Sequence, residues 1–501
     1  MGTNAGGAIT TGNGENVCIG NNCAAAMTTG QQNIIMGDNA GAGAAITGNL
    51  NVIIGDNAGY ALTSGASNVA LGGGALGALT TGSNNSAIGG YSLDALTTGS
   101  HNTAVGLNVL STLTTASSNT AMGVDCSRLM TTGTLNCAFG RSALEQATTG
   151  GYNCCFGYNS LNSLTTATEN AAFGYATMVN TTTGSNNTAV GPYALQENTT
   201  GSYNVAIGAS PLRRCSTGEH NVAIGHGVGD HLGSGSGNIM IGEMAGTAFT
   251  TCSNNIAIGK EAGYTATTDN YNIMIGYQAG KLNLNERNVA MGWQAYSLAT
   301  GGYANTCIGY QAGHSITTGD ECVCIGSEAG KDQIDTGSHA LYIASNNAGA
   351  GNADVWIHGA SSGNCYQGNN SSSWSTTSDR RLKKNIVDNI KGLAEINRLR
   401  VTNFEYRLEE EIDMSEFPLA DDPNQVVLGK GNEGVHTGVI AQEIEEVLPE
   451  CIETSTRGAK TVDPDPITWV LVNAVKELSA KNDELVAANT ALAARVTALE
   501  S

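Results

Sequence analysis

Basic and aromatic residues are scarce in this 501-residue chain: 22 Lys+Arg stand against 43 Asp+Glu, the formal net charge is -21, and aromatics make up 5%. A nucleic-acid footprint needs basic stripes interleaved with stacking aromatics, so that class of partner is excluded. No apolar run is long enough to span a bilayer, and Met1–Thr11 has neither the basic flank nor the apolar stretch of a secretory signal. Neither membrane insertion nor export by that route is expected. The 13 cysteines have no compact disulfide spacing. Mostly free thiols, in a chain made in a reducing compartment, are the expectation.

What is present is unevenly spread. Residues 1–377 carry 28 charged side chains and 61 of the 67 glycines, whereas residues 378–501 carry 37 charged side chains and 6 glycines. Two segments built on different principles meet near residue 378.

The first segment is a repeat. A phrase Asn-x-x-apolar-Gly ends on glycines 20, 37, 55 and onward to 326, nineteen copies spaced by 17 with one 18 and one 16. Asn stands four residues before the glycine from Asn16 to Asn305, and only Cys322 departs. In Asn204-Val205-Ala206-Ile207-Gly208 the alternation is that of an extended chain, with Val205 and Ile207 on one face and Ala206 on the other. The residue before the glycine is always apolar, which marks it as the expected core position. Ala, or else Cys, Ile or Met, lies two before the glycine and implies a face closely approached by a strand or a neighbouring chain. A second apolar stretch follows, as at Ala75-Leu76 or Ala262-Gly263, then a turn such as Thr97–Ser100.

Seventeen residues cannot bury a core alone, but stacked coils make a continuous one. The predicted fold is mainly β: a trimeric β-solenoid or β-roll shaft over 1–335, with nineteen coils giving a rod of about 90 Å at the interstrand spacing. A β neck and Ser-rich linker should occupy 336–377, built on Ala340–Ile343 and Val355–Ile357. A small α+β domain over 378–501, ending in a coiled-coil helix from about residue 467, completes the expected organisation. Over roughly residues 16–330 the phrase resembles the shafts of viral fibres and the heads of trimeric autotransporter adhesins. The adhesin reading needs a signal peptide and a C-terminal membrane barrel, neither of which is expected here, and no capsid-anchoring domain is expected before Asn16. Cys18, Cys155, Cys307 and Cys324 take the Ala position, and Cys137 and Cys154 the Val position, as small apolar residues. Cys322-x-Cys324 and the pair His226 and His231 lack a full ligand set at zinc-finger spacing. No metal and no cofactor are expected.

Ser378-Asp379-Arg380-Arg381-Leu382-Lys383-Lys384-Asn385-Ile386 opens the charged segment. With Gly392-Leu393, Phe404-Glu405-Tyr406, Gly438–Glu443, Leu448-Pro449 and Leu471–Leu478, it resembles the endosialidase-type intramolecular chaperone, a family of self-cleaving serine peptidases. One departure is Val462-Asp463-Pro464, where the family has Val-Asp-Tyr. The resemblance implies Ser378 as nucleophile and Lys383 as general base, cutting the chain's own backbone at Thr377–Ser378. Chemically, a serine needs a base within hydrogen-bond reach, and a lysine serves only where burial or nearby cations favour its neutral form. Arg380, Arg381 and Lys384 could supply such cations. Five residues apart on a continuous helix would set Ser378 and Lys383 about 140° apart, so either a turn joins them or the lysine comes from a neighbouring subunit.

Leu471, Leu478, Leu485, Leu492 and Leu499 recur every seven residues, with Val475, Asn482, Asn489 and Val496 at the companion seam position. That pattern predicts self-association. Together these features lead to the expectation of a homotrimeric viral tail fibre or spike, folded in the host cytoplasm and carried on the virion. Its partners would be a host-surface receptor such as a glycan and a virion attachment protein. One rival is a glycan depolymerase using Glu243, Glu261 or Glu328. The other is a non-viral filament with a permanent trimeriser.

Overall fold

Each repeat glycine closes a three-residue strand, from β1 (Val17–Ile19) through to β19 (Val323–Ile325), and every strand pairs in parallel with the next. The computed structural model describes residues 2–7, 15–282, 285–331, 338–344, 355–359, 365–367, 380, 383–407, 411–417, 434–454 and 459–500. They fall into two units, 1–372 and 373–501. The first is a β-solenoid of nineteen coils. In-register pairing, Val205 with Val222 and Ile207 with Ile224, puts equivalent residues of successive coils in straight files.

Coil 204–220 shows why the repeat is so strict. The Asn204 side chain is fully buried, and its Oδ1 accepts from the backbone N–H of Asn221 at 3.0 Å and from Asn221 Nδ2 at 3.1 Å. Its own Nδ2 donates to the Gly218 carbonyl at 2.8 Å and to Asn187 Oδ1 at 3.2 Å. A buried amide is tolerated only when its donors and acceptors are met, and here each coil meets those of its neighbour. Cys322 receives the last rung through its backbone N–H, 2.8 Å from Asn305 Oδ1, and has no amide with which to pass it on. Gly208 has φ 134°, and a Cβ there would strike the carbonyl oxygen of Gly225. Only glycine fits such a position.

The interior departs from the sequence expectation. Ala206 is wholly buried and Ile207 is 38% exposed, and the same order holds along the file. The core position is therefore the Ala position, and the residue before the glycine points outward. A roll of seventeen residues per turn is narrow, so its inner strand position takes a small side chain opposite Leu212 and Cys215, both fully buried. Where the inward strand residue is large, as at Ile35, Ile53 and Met240, the turn beside it carries glycine (Gly41, Gly59 and Gly246), and Met274 likewise lies against Gly263 of the preceding coil. Leu212 itself holds a left-handed φ of 50°, so this turn position accepts either residue type.

After β19 the parallel stack gains β20 (Leu341–Ala344), and then β21 (Val355–Gly359) and β22 (Cys365–Gln367) pair antiparallel. The reversal ends the solenoid's open edge with a meander.

The second unit holds α1 (Leu393–Ile396), an antiparallel pair β23 (Thr402–Phe404) and β24 (His436–Gly438), α2 (Ala441–Glu445), and a second pair β25 (Ile452–Thr454) and β26 (Lys460–Val462). It ends in α3 (Pro464–Glu500), 37 residues long. A small core forms from Ile444, Leu448, Cys451 and Val470, with Ile396 and Ile467 against it. Asp463 caps α3: its carboxylate accepts from the Asp465 N–H at 3.0 Å, and Pro464 follows at the first helical position.

Candidate functional site

Thr377 and Ser378 lie outside the described residues, and Lys383 within them. The Lys383 N–H donates to the Arg380 carbonyl at 3.2 Å. Lys383 and Lys384 are solvent-exposed in the single chain, and Asn385 takes a left-handed φ of 55°. The chain then runs on without helix or strand to residue 392, with Val387 84% and Ile390 92% exposed. A lysine base needs a surface that desolvates it, and the single chain leaves this one open to water.

Although exposed, this segment is anchored. Asn473 Nδ2 of α3 donates to the carbonyls of Asn389 at 2.9 Å and Lys391 at 3.1 Å. Glu477 accepts from the Leu393 N–H at 3.2 Å, and its carboxylate occupies the space a Cβ on Gly392 would need. Lys391 pairs with Glu450 at 2.7 Å, holding that carboxyl below its ordinary value, and Arg400 makes a two-bond fork to Glu443 at 2.7 and 3.1 Å. Thus α3 grips the strand of chain that leads from Lys383. Asn473 and Glu477 escaped the sequence reading because nothing in a helical heptad shows which polar residue reaches back 84 positions.

The helix has two apolar faces. Val470 and Ala474 are buried and Ile467 packs on the small core, while the heptad leucines, Leu471 to Leu499, are between 48% and 86% exposed. One side of the first turns binds its own unit, and the other presents an uncovered stripe that runs to the end of the helix.

On the shaft, the glutamates past the repeat glycine form surface ion pairs: Glu243 with Lys260 at 3.0 Å, Glu261 with Lys281 at 2.9 Å and Glu328 with Lys331 at 2.9 Å. Lys281 and Gln278 hold the Glu261 carboxyl below its usual range, the reverse of what a general acid requires. An open groove of about 590 Å³ is lined by Asp56, Asn57, Tyr60, Gly73, Tyr91 and Asp94, and burial pushes the Asp94 carboxyl up. Among the described residues no group of three or more His, Cys, Asp or Glu is placed to hold a metal ion, and no helix is long and apolar enough to cross a membrane. The described cysteines carry free thiols, Cys155, Cys307 and Cys324 inside the roll and Cys137 and Cys154 half-exposed on its outer strand face.

Residues 378–453 match the profile of a peptidase family described as chaperone of endosialidase. No curated protein and no solved structure matches the chain.

Proposed function

We propose that the chain is a homotrimeric fibre or spike protein for host attachment, carried on a virion, whose C-terminal unit aligns three copies and is then released by autoproteolysis. The observation that carries this reading is the match of residues 378–453 to a chaperone of endosialidase directly after a β-solenoid, joined to a helix with an uncovered heptad stripe. Identical coils can pair out of step, and non-local pairing is slow, so a C-terminal clamp that sets register before the shaft assembles has a physical task.

In the proposed cut, Ser378 Oγ adds to the carbonyl carbon of Thr377 and Lys383 Nζ takes the hydroxyl proton. The C–N bond breaks as that proton passes to the Ser378 nitrogen, leaving an ester that water hydrolyses to a Thr377 carboxylate and a free Ser378 hydroxyl. Exposure of Lys383, Val387 and Ile390 in the single chain supports a site that a neighbouring copy completes, which would tie cleavage to assembly. The groove at Asp56, Tyr60, Tyr91 and Asp94 offers rings and carboxylates suited to a polyhydroxyl receptor.

Intact mass under denaturing conditions tests the cut. The unmodified chain should yield two fragments divided before Ser378, and Ser378→Ala and Lys383→Ala should stay at 51.1 kDa. A folded, trimeric native chain that stays whole would overturn autoproteolysis and leave residues 378–501 as a permanent trimeriser.

A further inference from the structure

The amide ladder satisfies the strand-side interior of the solenoid from coil to coil, but the outer strand face is left uncovered. In each strand the first and third residues point away from the roll, and in none of the nineteen coils does either position carry a charged or amide side chain. The third is always apolar: Ile207 and Ile325 each leave 38% of their surface in water, and Phe156 leaves 37%. In-register pairing aligns them into one straight stripe, in which Phe139, Phe156 and Phe173 stack at 4.6 and 5.2 Å between centroids.

The third positions alone expose on the order of 1,000 Å² of apolar surface, against roughly 300–600 Å² for the largest patch on an ordinary monomer. A standard interface needs about 800 Å² from each partner. We propose that this stripe is the surface through which copies of this chain pack side by side along the shaft. The inference rests on the homotrimer reading and assigns its interface.

Three features select a second copy as occupant. A protein of net charge -21 repels its own kind except where charge is missing, and the stripe is such a place. A second copy also presents the same coil-to-coil spacing, so side-chain ridges stay matched over the whole length, which an unrelated partner lacks. Finally, the three phenylalanines share their strands with the small residues Cys137, Cys154 and Ala171. Large beside small along one short segment gives copies an aromatic anchor and a mark against slipping by one coil.

The test uses the full chain and its own thiols. In Cys137→Ala the Cys154 thiol remains on the stripe, and a short bismaleimide should join copies in pairs through it, giving dimer-sized bands. Cys137→Ala with Cys154→Ala should lose those bands at least tenfold. Adding Phe156→Lys, Ile207→Lys and Ile224→Lys to the Cys137→Ala chain should lose them equally, with the far-ultraviolet circular dichroism unchanged because these side chains lie outside the roll. Tyr91→Lys, Tyr152→Lys and Tyr271→Lys, exposed residues off the stripe, should keep them. Sedimentation equilibrium separates the two readings. A trimer without Cys154 cross-links, or with links that survive the stripe lysines, overturns the assignment of this face and leaves the trimer standing. A monomeric native chain overturns the trimer and this inference together.

Discussion

The shaft and the C-terminal unit solve opposite problems with the same chain. In the shaft, every coil but the last contributes one ladder amide, and each adds one inward strand residue, small in most coils, and one or two turn residues to a hydrogen-bonded interior. Among its described residues, the C-terminal unit buries Ile444, Leu448, Cys451, Val470 and Ala474 and leaves Val387, Ile390, Val435, Trp469 and the α3 leucines largely exposed. Repetition makes the inside of the shaft self-sufficient and leaves one stripe outside. The small unit is far from self-sufficient, as expected when a short chain must bury enough apolar surface to offset its conformational entropy.

That contrast can be broken most severely at the glycine closing a strand. Gly208→Val meets both a φ of 134° and the Gly225 carbonyl, and should destabilise the shaft by about 4 kcal/mol or more, read as a lowered urea midpoint. Next comes the amide ladder: Asn204→Ala strips partners from Asn221 and Gly218 at once and should cost about 3 kcal/mol. Hydrogen exchange localised to the adjacent coils would check that the damage stays near the missing rung.

Volume compensation offers a gain as well as a loss. Met240→Ala should cost about 2–3 kcal/mol by opening a cavity, and Gly246→Leu in the same chain should recover most of it, since Leu212 holds the same turn geometry. Failure of that rescue would show that the interior is set coil by coil and not by summed volume. In the other unit, Leu485→Asp should reduce helix content and self-association together, measured by circular dichroism and sedimentation.

The smallest effect belongs to the surface of the C-terminal unit. Lys391→Ala should shift its stability by less than about 0.5 kcal/mol, because both partners of that ion pair reach water. The Lys391 hydrogen bond lowers the Glu450 pKa in the folded state, so the contribution is present above the ordinary glutamate range and fades as pH falls through the lowered folded value. A native-minus-variant difference that grows in acid would contradict this sign.

Much of the shaft was legible because its constraints recur. Strand position, the glycine, the asparagine and the place where the ladder stops at Cys322 all follow from period and residue type. The face assignment was not legible in the same way. Alternation separates Val205 and Ile207 from Ala206, but hydrophobicity alone points the larger residues inward, and the roll's narrow cross-section reverses that choice. For the candidate site, residue types and order in the charged segment were readable, as was the capacity of the tail to form a helix. The grip of Asn473 and Glu477 on residues 389–393 was not, since it joins positions more than eighty residues apart.

By itself, then, the amino-acid order determined the number of coils, their length, the residues that must be glycine or asparagine, and the change of construction near residue 378. Those are local constraints, set by backbone angles and by hydrogen bonds between one coil and the next. Only the tertiary structure decided which side of each strand is core and which side of α3 is covered. Both depend on how much room the surrounding chain leaves, and available volume belongs to the assembled fold and to no single stretch of sequence.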